Sequence, residues 1–108
     1  MIDIKFFIRN DDVVEFKICG HAEYDEYGRD IVCASVSVLV INTINSIEQF
    51  TDDKFITRID EKDGLIEFKL SEQASSSTNL LLNSLKLGLS EITNEYNEYI
   101  CFREYKIK

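Results

Sequence analysis

The chain opens on a run, Ile2 to Arg9, in which apolar and polar residues alternate with the period of a β-strand. Asn10-Asp11-Asp12 reads as a turn and Val13 to Cys19 as a second strand, so a hairpin is predicted first. Gly20 ends that strand, and a short polar segment follows from Glu23 to Arg29, holding Tyr24, Tyr27 and Gly28. Ile31 to Phe50 carries conflicting signals. Its β-branched residues favour strand by propensity. Its length favours a helix, and Val32, Val36, Val40, Ile44 and Ile47 recur at the spacing of one helical face. Asp30 stands where an N-cap belongs. The segment is read as a long, largely buried helix starting after Asp30.

Thr51-Asp52-Asp53 breaks that helix. Phe55 to Ile59 and Leu65 to Leu70 are read as two strands around Asp60-Glu61-Lys62-Asp63-Gly64, a turn whose glycine suits a left-handed conformation. Ser75-Ser76-Ser77-Thr78 is a loop and helix cap, because an amphipathic stripe follows in Leu81, Leu85, Leu89, Ile92 and Tyr96. Tyr99 to Ile107 closes the chain as a strand. The order ββαββαβ predicts an α+β fold, a mostly antiparallel sheet covered by two α-helices. With 108 residues, the expectation is a single domain over 1–108. A chain of this size gains only modest stability from its own core, and an interface with a second copy would add to it.

Charge narrows the partners. Twenty acidic residues stand against twelve basic ones, for a formal net charge of -8. No concentrated basic surface is visible along the chain, which argues against direct nucleic-acid binding and favours a basic partner or substrate. Three cysteines without a tight pairing pattern make poor material for a secreted disulfide scaffold. With no Cys-x-x-Cys and a single histidine, no metal site and no cofactor are expected. The N-terminus lacks a basic region followed by a continuous apolar run. The longest apolar-rich stretch, Ile31 to Ile41, reads as too short to span a bilayer, so no membrane association is expected. A reduced, cytoplasmic location fits these features.

The candidate chemistry lies between Gly20 and Ser37. This stretch holds the lone histidine, His21, directly after Gly20, and places Cys33 at the third position of the expected helix. A thiol attacks a carbonyl as the thiolate, which the partial positive charge of a helix's first turn favours. The unpaired N–H groups of that turn could also hold an oxyanion. His21, at the strand end leading into the helix, could exchange a proton with Cys33. Ser37 lies one helical turn beyond Cys33 on the same face. Asp30 could cap the helix or orient His21, and the sequence does not choose between these tasks. The bland readings are a cysteine buried as a small hydrophobe, a surface histidine and a packing serine. Cys19 and Cys101 fall in strands with no local base and are read as core thiols.

Gly20-His21-Ala22, Gly28, Asp30-Ile31-Val32-Cys33-Ala34 and Val36-Ser37 together resemble the ribosomal-processing cysteine protease family, Prp. The motif covers Gly20 to Ser37; length and element order extend the likeness over the rest. The resemblance implies a cysteine endopeptidase that removes a short N-terminal extension from a protein of the large ribosomal subunit in certain bacteria, near the peptidyl-transferase centre. It implies cleavage after an apolar, aromatic-containing segment ending in alanine. The family's catalytic pair falls on His21 and Cys33, with Asp30 and Ser37 supporting. It implies a homodimer and a mobile loop over Ala22 to Arg29. Two rival readings remain: a non-catalytic acidic binding protein of ribosome assembly, with no fast alkylation of Cys33, and a redox-sensing thiol protein with Cys19 as the resolving partner of Cys33.

Overall fold

The computed structural model describes residues 1–20 and 27–108, with the side chains of 27–30 excepted. Strand β1 (Ile2–Arg9) turns into β2 (Asp12–Cys19) through Asn10 and Asp11, at φ 52° and 69°. Two successive left-handed residues give the turn whose twist matches that of the strands, and Asn and Asp tolerate this backbone better than other side chains. Helix α1 (Tyr27–Phe50), β3 (Phe55–Asp60), β4 (Leu65–Leu70), α2 (Ser76–Glu95) and β5 (Ile100–Lys106) complete the order ββαββαβ. Gly64, at φ 61°, takes the left-handed position expected in the β3–β4 turn.

The sheet runs β3-β4-β2-β1-β5, antiparallel except where β1 pairs in parallel with β5. Alternation decides which side is covered. Ile2, Ile4, Phe6 and Ile8 of β1 are buried, as are Phe16 and Ile18 of β2, which pair with Phe6 and Ile4. On this face Phe16 stacks on Phe68 at 5.0 Å between ring centroids, and Phe55 packs on Phe68 at 4.9 Å. A fully buried aromatic or branched side chain of this kind contributes roughly 1.5–3 kcal/mol. The helices supply the second layer: Val32, Val36, Val40, Ile44 and Ile47 from α1, and Leu82, Leu85 and Leu89 from α2.

Two expectations about α1 change. The helix starts at Tyr27, four residues before Ile31, so Asp30 lies inside its first turn instead of capping it. Aspartate is favourable in either place because of the helix dipole, so its presence alone does not fix the start. Second, α1 is buried along one face only, and Val38 on the opposite side is 67% exposed. Ile31–Phe50 is also long and apolar enough, by length and composition, to cross a membrane, which revises the reading based on Ile31–Ile41. In this fold its buried face is the cover of the sheet.

Candidate active site

The exit of β2, the first half of α1 and the β3–β4 turn surround a cavity of about 320 Å³. Each wall has a local cause. Gly20 continues from β2 at φ +111°, a backbone that L side chains rarely adopt, and a Cβ there would collide with the carbonyl oxygen of Met1. Its N–H donates to the Asp63 carbonyl at 3.3 Å, which ties the end of β2 to the β3–β4 turn. That turn is braced from within. One carboxylate oxygen of Asp60 accepts the N–H groups of Lys62 (3.0 Å) and Asp63 (3.4 Å), and Gly64 donates to Glu61 at 3.3 Å.

Helix α1 contributes one flank. Val32 and Val36 point into the core, while Cys33, Ser37 and Ile41, at successive steps of four, run along the edge that faces the cavity. Leu39, on the other flank, lies against Gly88 of α2, where an added Cβ would come within 3.1 Å of it. Cys33 is half-buried, with a free thiol, and Ser37 is exposed. Ile2, Ile18, Ile59, Leu65 and Ile66 make the remainder mostly apolar, with Asp60 and Glu61 at its acidic side. Such a space can hold an apolar side chain of an extended peptide beside a thiol.

Of the residues singled out from sequence, Gly20, Cys33 and Ser37 share this cavity. His21 lies outside the described residues, and so does the side chain of Asp30. The loop expected over Ala22–Arg29 lies partly outside them too, and Tyr27 to Arg29 belong to α1. Because α1 starts early, Cys33 is its seventh residue and not its third. The N–H of a seventh residue belongs to the intrahelical ladder, so the unpaired amides of this helix belong to Tyr27–Asp30. The acidic and apolar wall comes from β3, the turn and β4, and nothing near residue 60 in the sequence points to residue 33.

Cys19 and Cys101 are half-buried strand residues, not core ones. Both pair with exposed Asp3, which puts them on the uncovered side of the sheet, opposite the helices that carry Cys33. Cys19 donates weakly to the Asp63 carbonyl at 3.9 Å. A sheet between Cys19 and Cys33 removes the basis for a redox pair. Among the described residues no group of three or more His, Cys, Asp or Glu side chains is placed to hold a metal ion.

The family model described as Cysteine protease Prp matches residues 1–101. The chain belongs to the cysteine protease Prp family. A ribosomal processing cysteine protease Prp from Staphylococcus aureus is 32% identical over 81 residues, which is 75% of this chain and 76% of that one. Two crystal structures of an essential ribosomal processing protease Prp from S. aureus superpose closely. One holds a substrate peptide (27% identity, TM-score 0.88) and the other a covalently linked product peptide (28%, 0.87). Each match covers 96% of this chain and 99% of the other. The Prp architecture is therefore the ββαββαβ mixed sheet described above, and this member of the Prp family is a cysteine protease.

Proposed function

We propose that this protease removes the N-terminal extension of a large-subunit ribosomal protein, with Cys33 as nucleophile and His21 as the proton carrier. The observation that carries this reading is the half-buried Cys33 thiol on the wall of a mostly apolar cavity, large enough for a side chain of a bound peptide, that Gly20 also lines. His21 follows Gly20 directly in the chain. The relative from S. aureus is a ribosomal processing enzyme, and its covalently linked product peptide fits thiol catalysis.

In the proposed sequence, His21 takes the Cys33 proton and the sulfur bonds to the scissile carbonyl carbon, pushing an electron pair onto oxygen. The tetrahedral intermediate collapses as the C–N bond breaks and His21 returns the proton to the leaving amine. Water, deprotonated by His21, then attacks the thioester, and Cys33 leaves as the thiol. Asp30 and Ser37 are assigned supporting roles, with Ser37 one turn from Cys33 along the cavity wall. Gly20 keeps the backbone beside the cavity slim.

The net charge of -8 supports attraction of a basic ribosomal protein, and residues 1–108 act as one domain. The working form is a cytoplasmic homodimer. Support for self-association comes from the outer side of the helical layer, where Ile31 and Val38 of α1 and Leu80 and Leu87 of α2 are 42%, 67%, 70% and 61% exposed. The test is incubation with a peptide copying the ribosomal extension and mass spectrometry of the products. Cleavage after the aromatic-containing segment is expected, and an intact peptide under conditions where a related Prp cuts it overturns the proposal.

A further inference from the structure

The face of the sheet turned away from the helices carries an ordered charge pattern. Strand register places Arg58, Glu67, Lys17, Lys5 and Arg103 in one row across β3, β4, β2, β1 and β5. Strands lie about 4.8 Å apart, so the row runs roughly 19 Å. Glu67 neutralises Lys17 at 3.4 Å. Lys17, Lys5 and Arg103 nonetheless stand directly opposite one another on adjacent strands, an arrangement that costs stability in an isolated sheet. In the next row Phe7 stacks on Tyr105 at 5.4 Å, and Tyr105 is 36% exposed. Beside them is a hollow of about 320 Å³, bordered by Phe7, by the cations Lys17, Arg58 and Lys69, and by the carboxylates Glu15 and Glu67.

We infer that this open sheet face binds single-stranded RNA, on the side of the molecule opposite Cys33. The row of cations meets phosphates, and the paired rings with the adjoining hollow offer bases a stacking surface. On a chain of formal net charge -8 this row, interrupted by Glu67, is a local concentration of positive charge that suits an anionic partner. The expectation of no direct nucleic-acid binding rested on the absence of a basic run in the sequence. The sheet assembles one from alternate positions of separate strands.

The test is fluorescence anisotropy of the intact protein with a labelled oligouridine of about 12 nucleotides. With three or four phosphates neutralised, affinity is expected to fall about 20- to 50-fold between 50 and 200 mM salt. The double variant Lys5→Gln/Arg103→Gln should flatten that salt dependence, and Tyr105→Ala should weaken binding about tenfold. Both variants should keep the peptide-cleavage rate and the circular dichroism spectrum of the parent. No binding up to about 100 µM at low salt overturns the inference. So does unchanged affinity in Tyr105→Ala, or equal displacement by polyglutamate, which would point to an acidic polypeptide instead.

Discussion

At Gly20 one backbone angle carries both the fold and the cavity wall. Its φ of +111° and the nearby Met1 carbonyl leave no room for a side chain. Gly20→Ala should therefore lower stability by about 2 kcal/mol, a fall in Tm of about 10 °C in a thermal melt. Cleavage should fall with it even well below the melting range, because the backbone must shift beside the cavity. Cys33→Ala is the contrasting change. It removes one sulfur from a half-buried position, so Tm should move by no more than a few degrees while peptide cleavage is abolished in mass spectrometry. Retained cleavage would remove Cys33 from the mechanism. These two residues were legible in the sequence through different signals. Gly20 sits at the end of an alternating run and beside the only histidine, and Cys33 belongs to a motif with fixed spacings. Asp60 and Glu61 were not legible as cavity residues, because only β3–β4 pairing and the docking of that turn on Gly20 bring them there.

Between elements, the break after α1 and the start of α2 are locked together by one carboxylate. Asp53 accepts hydrogen bonds from the Ser75 hydroxyl at 2.6 Å and its N–H at 3.1 Å, and from the buried Thr78 hydroxyl. Ser75 in turn accepts from the N–H of Thr78 at 3.3 Å as the N-cap of α2. The hydrogen bonds from Ser75 and then Thr78 hold the Asp53 carboxyl below its ordinary range. A group with a lowered folded pKa contributes stability that is present above its unfolded value and lost as pH falls through the folded one. Asp53→Asn should therefore lower Tm at neutral pH, and the gap to the parent should close as the pH is taken down below about 4. A gap independent of pH in a series of thermal melts would show that the carboxylate's charge is not what holds the junction. Ser75→Ala should cost about 1 kcal/mol through the lost cap. The strands and the cap at Ser75–Thr78 were readable because alternation and polar punctuation are local signals. The start of α1 was not, since Asp30 is equally at home in a cap or in the first turn. The parallel pairing of β1 with β5 is set by packing between chain ends and leaves no local mark.

At the scale of the molecule, the two faces of the layered fold have opposite characters. The sheet face carries the row of cations, whereas the outer helical surface is apolar and uncharged over much of α1, which has no charged residue from Ile31 to Ile47. Val38 and Leu87 stand seven residues after Ile31 and Leu80 on their helices, so each pair repeats on one side of its helix every two turns. Leu39 and Gly88 bring the helices close together, so the four side chains belong to one layer. A small domain leaves such a surface in water at a cost, and covering it with a copy of itself removes that cost on both partners at once. Val38→Glu/Leu87→Glu would place four carboxylates in that interface. Light scattering should then report twice the chain mass for the parent and the single-chain mass for the variant. Neither position faces the core, so the far-ultraviolet circular dichroism should be unchanged. If the variant remains dimeric, the second copy binds elsewhere, and the parallel edge at β5 or the antiparallel edge at β3 becomes the surface to alter next.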